Sequence, residues 1–155
     1  MPTLHEAADY QARLQARFVQ VRDALLARWP AARVEHIGAS SIEGAVSKGD
    51  LDVLLLVSPE AFESVRGQLV AGGYCEKRDT LRTTALCMLE APDHALQLVA
   101  AGSVHERVFL RFRDRLRADA PLVAAYNDVN RRHAADSDER YRDAKARFIQ
   151  QVLGH

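Results

Sequence analysis

Two carboxylates two residues apart, Asp50 and Asp52, open an apolar run that ends at Val57, and a loop rich in glycine and serine leads into them. On a strand, side chains two apart point to the same face, so both acids look the same way. Close like charges repel, and burial raises the pKa of either one, so the pair calls for a cation. Magnesium fits: it is typically held by one or two carboxylates plus substrate phosphates and keeps waters elsewhere in its shell. The loop supplies phosphate-friendly groups, namely backbone N–H groups around Gly38 and Gly44, the hydroxyls of Ser40 and Ser41, and the Lys48 ammonium. Glycine lets a backbone approach a ligand closely, and consecutive amides form anion-binding concavities. Taken singly, Gly-Ala-Ser-Ser is ordinary loop composition and an aspartate at a strand start is often a solvated turn residue. Their order and their closeness to a buried-type strand carry the functional reading.

The elements that must position these groups follow from periodicity. Leu14, Phe18, Val21 and Leu25 recur at helical intervals, Thr3 and Glu6 have capping-box spacing, and the first helix should end near Arg28, before Pro30. Arg33 to Ile37 reads as a strand, and the Gly38 to Gly49 loop should hold a helical turn. Asp50 to Val57 reads as a central strand with Leu51, Val53, Leu55 and Val57 on one face, and Leu54 and Leu56 continuing the carboxylate face. Ser58-Pro59 starts a helix with Phe62, Val65 and Leu69 as its stripe, ended by Gly72-Gly73. Arg82 to Glu90 and His94 to Ala101 form a candidate hairpin across Pro92-Asp93, with a shorter strand near Tyr74 to Lys77.

Helices follow. One starts at a Ser103/Glu106 capping box with Phe109, Phe112 and Leu116 as its stripe; the next uses Leu122, Ala125 and Val129; the last uses Tyr141, Ala144, Phe148 and Val152. Strands first and helices last around one mixed sheet define an α+β fold class, and 155 residues with 48% hydrophobic content suit a single domain over 1–155.

Lys plus Arg and Asp plus Glu both number 21, so no overall field draws the chain to nucleic acid or membrane, and no extended basic track with interleaved aromatics appears. Cys75 and Cys87 lack zinc-ligand spacing and read as small hydrophobes. Neither a leader-like apolar segment nor a membrane-length run occurs, which makes a cytoplasmic location the expectation. His36, alternating with Val34 beside the glycine turn, either orders the loop, contacts a phosphate or is a satisfied buried histidine. Oligomeric state is not readable from the chain.

Val34-Glu35-His36-Ile37-Gly38, Ser40 through Lys48, and Asp50-Leu51-Asp52 resemble the signature of the GrpB family, within the DNA polymerase β-like nucleotidyltransferase superfamily. The C-terminal half continues the resemblance with Phe112-Arg113-Asp114, Leu116-Arg117, Tyr126, Tyr141 and Ala144-Lys145. It implies a nucleotidyltransferase-like sheet with an N-terminal helix and a C-terminal helical bundle. In that superfamily the Gly-Ser turn holds a nucleoside triphosphate and the aspartates hold divalent metal. Carried onto this chain, Asp50 and Asp52 become the catalytic and Mg2+-binding residues, and Gly38, Ser40, Ser41 and Lys48 contact the NTP. Arg113 joins them as a guanidinium suited to phosphate; Tyr126 is assigned to packing and Lys145 to a helix surface. The implied reaction transfers a nucleotidyl group from an NTP to a small-molecule acceptor. The alternative is a nucleotide- or metabolite-binding module of the same fold without catalysis. Glu43 and Gly49 stand where the family usually shows proline, and Asn130 where it usually shows lysine. Where many relatives of this fold place a third carboxylate, the equivalent strand carries Gln97, with Glu90 and Asp93 as the nearest acids.

Overall fold

The strand that carries Asp52 is an interior strand of the sheet, second from one edge. In the computed structural model, which describes residues 4–154, β2 (Asp52–Val57) pairs antiparallel with β1 (Arg33–Ile37) and parallel with β5 (His94–Ala100). The hairpin partner β4 (Leu86–Ala91) and the short β3 (Cys75–Glu76) complete a five-stranded mixed sheet of order β1-β2-β5-β4-β3. The parallel β2–β5 pair requires a crossover, and α2 (Phe62–Ala71) lies on that connection.

β2 is apolar on both sides because both sides are covered. Leu51, Val53, Leu55 and Val57 pack with Tyr10, Leu14, Phe18 and Leu25 of α1 (Ala7–Arg28) and with Phe62, Val65 and Leu69 of α2. Leu54 and Leu56 face the other way, toward Phe109 and Leu110 of α3 (Val104–Arg117). Asp52 precedes Leu54 by two, so its carboxylate shares the α3 face. A third cluster joins loop and helices: Ile42 and Ala45, both fully buried, pack with Leu116, with Val123 and Tyr126 of α4 (Ala120–His133), and with Phe148 and Val152 of α5 (Asp138–Leu153). The loop before the aspartates is therefore wedged between sheet and helical half.

Several local readings are corrected. The strand begins at Asp52, not Asp50; the Leu51 carbonyl still accepts from Ala95 N–H at 2.8 Å, and Asp50 lies beyond the ladder, exposed. Ser58 and Pro59 form a turn in which Ser58 accepts from Ala61 N–H, and α2 starts only at Phe62. Thr3 lies outside the described residues, and Glu6 is itself the N-cap of α1. Ser103 caps α3 by position without a side-chain hydrogen bond, while Glu106 accepts from Gly102 N–H, so no reciprocal capping box forms. On α4 the buried face is Val123, Tyr126, Asn127 and Asn130, with Ala125 exposed, because the two asparagines have buried partners described below. Cys75 is exposed rather than packed.

Candidate functional site

Gly38 ends β1 and sets the geometry of everything after it. Its φ of +75° lies in the region that favours glycine, and a Cβ built there would run into the Asp52 carboxylate. Glycine is required twice over, by backbone and by space. Gly38→Ala should cost about 1–3 kcal/mol of stability through backbone strain alone. Denaturant unfolding measures this, and an unchanged midpoint would contradict the close approach.

A 3₁₀ turn over Ala39–Ser41 follows, and side chains from three helices hold its neighbourhood. Tyr10 and Gln11 of α1 donate to the carbonyls of Ala45 and Ile42 at 2.8 and 2.6 Å. Arg117 of α3 donates to Ser41 O at 2.8 Å. Asn127 of α4 accepts from Val46 N–H at 2.8 Å and donates to Gly44 O at 2.9 Å. Buried backbone polar groups need partners, and here they find them in the helices that close over the loop.

These contacts show what each expected site residue does. Ser40 Oγ lies 2.8 Å from His36 Nε2, and His36 Nδ1 lies 2.9 Å from Gln15 Oε1, so an Nδ1-protonated ring donates to Gln15 and accepts from Ser40. Ser41 Oγ donates to Gly38 O at 2.6 Å. Arg113 is buried and donates to Glu35 at 3.0 Å, to Asp114 at 2.9 Å and to His36 O at 3.2 Å. Both hydroxyls and the guanidinium thus order the loop and the end of β1. Gly38, Lys48, Asp50 and Asp52, in contrast, line one cavity of about 230 Å³ with Ser47, Tyr126, Asn130, Tyr141 and Lys145.

His36 is 5% exposed and stacks on Phe18 with ring centroids 4.8 Å apart. Burial, reinforced by Arg117 and Arg113, lowers its pKa from 6.5 to about 4. A depressed pKa stabilises the fold above the unfolded value of 6.5, and that contribution is lost as the pH falls through about 4. At 1.36 kcal/mol per pKa unit, His36 accounts for roughly 3 kcal/mol of acid-linked destabilisation. His36→Gln should flatten the stability profile between pH 6.5 and 4 relative to wild type; unchanged curvature would contradict the buried neutral ring.

Lys145 is corrected from a helix-surface residue to a wall of the site. It lies four residues after Tyr141, on the α5 face that also carries Ala144 and Phe148, and it is half-buried. Lys48 Nζ sits 4.3 Å from the Tyr141 ring centroid and Lys145 Nζ 5.2 Å from it, with Tyr126 at 5.9 Å from Lys145. Two ammonium groups thus lie against one aromatic ring, and Asn130 fixes that ring by accepting from Tyr141 Oη at 3.0 Å. The i, i+4 spacing of Tyr141 and Lys145 was the available signal.

Electrostatics single out Asp52. Burial pushes its pKa up to about 6, and Asp50 adds to the rise; Lys145 and, more weakly, the polar Gln97 side chain oppose it. Tyr126 first, then Tyr141 and Asp52, hold the Lys145 ammonium above the ordinary lysine range against its burial. Among the described residues no group of three or more His, Cys, Asp and Glu is arranged to hold a metal. The donor set is the carboxylate pair alone, which suits a hard cation that completes its shell with phosphate oxygens and water. Magnesium therefore fits these residues in company with a phosphate ligand.

On the other side of the pair, a cavity of about 410 Å³ is lined by Asp50, Asp52, Lys77, Glu90, Asp93 and His94, among others. Glu90 and Asp93 do reach this neighbourhood, as partners of Lys77 at 3.9 Å and Arg17 at 3.8 Å. Tyr74 Oη lies 2.7 Å from His94 Nε2, and His94 Nδ1 lies 2.8 Å from Asp93, which fixes the β4–β5 turn at the cavity wall.

A glycine turn, an aspartate opening the central strand, and helices closing over both make this a nucleotidyltransferase-like fold, and solved structures agree. A poly(U) polymerase, Cid1, solved with Mg 3'-dATP bound, aligns over 82% of this chain and 43% of its own at a TM-score of 0.55 and 18% identity. A cytoplasmic RNA terminal U-transferase aligns over 82% of this chain and 41% of its own at a TM-score of 0.54 and 16% identity. This chain spans less than half of either protein.

The chain itself belongs to the GrpB family: the model described as GrpB protein matches residues 6–155. A UPF0157 protein of Vibrio cholerae is 44% identical over 153 residues, covering 97% of this chain and 81% of that protein. One from Deinococcus radiodurans is 31% identical over 149 residues, covering 91% and 76%. The conserved protein GrpB from Enterococcus faecalis superposes over 98% of both chains at a TM-score of 0.76 and 22% identity. Among the described residues no helix is long and apolar enough to cross a membrane.

Proposed function

We propose that this protein is a magnesium-dependent nucleotidyltransferase that passes a nucleotidyl group from an NTP to a small-molecule acceptor. The observation that carries this reading is the single cavity shared by Asp50, Asp52, Lys48 and Lys145 behind the Gly38 turn. Two ammonium groups and two carboxylates line that one space, which suits a metal-bound polyphosphate, since phosphate oxygens pair with ammonium groups and carboxylates need a cation between themselves and a second anion. Magnesium held by Asp50 and Asp52 would supply neutralisation of the phosphate charge and orientation of the triphosphate. Lys48 and Lys145, held on Tyr141, offset charge that develops on the leaving pyrophosphate. The acceptor hydroxyl oxygen bonds to the α-phosphorus, the bond to the bridging oxygen breaks with its electron pair leaving on pyrophosphate, and the hydroxyl proton passes to solvent water. The structural neighbours named for a poly(U) polymerase and a U-transferase support nucleotidyl chemistry as the reading.

One observation favours a second reading, a binding module without turnover: Gln97, which lines a cavity with Asp52 from the neighbouring strand, is no base near neutral pH. Incubation with Mg2+ and each of the four α-labelled NTPs separates the two. Pyrophosphate release that Asp52→Asn abolishes supports transfer. Magnesium-dependent binding without release supports the module, and absence of both overturns the nucleotide assignment.

A further inference from the structure

Asp50 and Asp52 line two cavities, and among the described residues they are the only ones common to both. One, with Lys48 and Lys145, is assigned above to the triphosphate; the other, of about 410 Å³, lies over the start of β2 and the β4–β5 turn. The sheet register builds this second cavity. Asp52 pairs with Ala95, and Ala95 pairs with Glu90, so the three form one row whose side chains share a face. Two strand spacings set the backbones of Asp52 and Glu90 about 10 Å apart, and the side chain between them is a single methyl group. The row therefore leaves a trough floored by Ala95 with an acid on each side. Lys77 Nζ stands 3.9 Å from Glu90 Oε1, and Arg17 Nε of α1 stands 3.8 Å from Asp93 Oδ2. The other Asp93 oxygen is held by His94 Nδ1 at 2.8 Å. Both ion-pair separations exceed hydrogen-bond length, all four side chains are accessible to solvent, and exposed pairs of this kind contribute little by themselves. Each pair is free to admit a third group between its charges.

We infer that this second cavity is the acceptor site and that the acceptor is a neutral polyhydroxylated molecule, the size of a sugar ring, whose hydroxyls bridge Lys77 to Glu90 and Arg17 to Asp93. This rests on the nucleotidyl-transfer reading above and names the substrate class of that site. With a divalent cation on Asp50 and Asp52, the remaining Lys, Arg, Asp and Glu side chains of the cavity are two cations and two anions, so it offers an ionic ligand no net attraction. An anionic acceptor would have to draw Lys77 or Arg17 from its carboxylate, and an amine would have to do the reverse. A hydroxyl needs neither exchange, because it donates to a carboxylate and accepts from a cation at once. The volume of about 410 Å³ lies within the roughly 300–1,000 Å³ of small-molecule sites. Lys77 is near enough to act on the Asp52 carboxyl, so a ring held by Lys77 and Glu90 lies beside the proposed metal. In-line transfer needs the attacking and leaving oxygens on opposite sides of phosphorus, which two cavities meeting only at the carboxylate pair provide. A further hydroxyl of the ring bonds through its oxygen to the α-phosphorus from the second cavity. Pyrophosphate departs into the first with the electron pair of the broken P–O bond, and the hydroxyl proton passes to water.

Ligand-observed NMR on the full chain with Mg2+ and a non-hydrolysable NTP analogue tests this with rings that differ in charge. D-glucose and myo-inositol are the neutral probes, D-glucosamine, at a pH where its amine is charged, the cationic one, and D-glucose 6-phosphate the anionic one. The analogue fills the Lys48–Lys145 cavity, so the phosphorylated ring does not report on it. A neutral polyol should bind saturably and several-fold more tightly than either charged ring. Glu90→Gln leaves Lys77 without its anion and should weaken the neutral polyol several-fold while moving the preference toward D-glucose 6-phosphate. Lys77→Met leaves Glu90 without its cation and should move it toward D-glucosamine; a merely structural role for the pair would shift all four probes alike. No saturable binding of either neutral polyol, tighter binding of a charged ring to the wild-type protein, or the same order of the four probes in both variants overturns the inference. Titration of the Mg·NTP analogue alone keeps the failures apart. Analogue binding without polyol binding sinks the acceptor site and leaves the transferase reading standing, whereas polyol binding without analogue binding sinks the transferase and with it the acceptor role.

Discussion

Asp52→Asn should make the protein more stable at pH 8 while removing the proposed nucleotidyl transfer. The Asp52 carboxyl has its pKa pushed from 3.8 to about 6, chiefly by burial. A raised pKa means that the protonated acid is the form the fold accommodates. Stability from that form is fully present below the unfolded value of 3.8 and is lost as the pH rises through about 6. Above that, every folded molecule carries an ionised carboxylate in a site that penalises it, by about 3 kcal/mol at 1.36 kcal/mol per pKa unit. Partial exposure and the Lys145 charge reduce what asparagine can recover, so a gain of about 1–3 kcal/mol is expected, or several degrees in melting temperature for a chain of this size. The gain should shrink toward zero at pH 4. Melts of both proteins across that range decide the matter; a variant less stable than wild type at pH 8 would mean that Asp52 is structural. Retention of an acid that costs stability is what a residue kept for binding looks like.

Lys145→Met should weaken Mg·NTP binding about tenfold to a hundredfold, from the 1.5–3 kcal/mol typical of a charge-assisted hydrogen bond. Methionine keeps the unbranched stem that packs beside Tyr126 and Tyr141 and removes only the charge. Lys145→Arg should restore much of the affinity. Removal of Lys145 also takes away the cation that holds the Asp52 carboxyl down, so the Asp52 titration should move further upward. Calorimetric titration of Mg·NTP into the three proteins measures the effect, and equal affinities would return Lys145 to a packing role.

The parts of the fold that were legible are those with an unbroken period. Leu51 through Val57 fell on two faces as alternation demanded, and Tyr141, Ala144, Phe148 and Val152 are all buried on α5. α4 misled because its buried face includes Asn127 and Asn130, polar residues whose partners, the Gly44–Val46 backbone and Tyr141, are not visible from the helix alone. Asp50 and Asp52 were legible as a pair, and the structure adds an asymmetry that spacing hides: one is exposed beyond the strand and the other tucked behind Gly38. Ser40, Ser41 and Arg113 were singled out for phosphate, and in the structure each is engaged in ordering the loop. Lys145 was assigned to a helix surface because lysines on helices usually face water, and only tertiary packing brings α5 over the aspartates.

The most direct measurement is the anomalous difference map of a crystal grown with Mn2+ and a non-hydrolysable NTP analogue. The proposed chemistry predicts a manganese peak shared by the Asp50 and Asp52 carboxylates, with the triphosphate running between Lys48 and Lys145. A triphosphate bound elsewhere, or a manganese peak that touches neither aspartate, would contradict it.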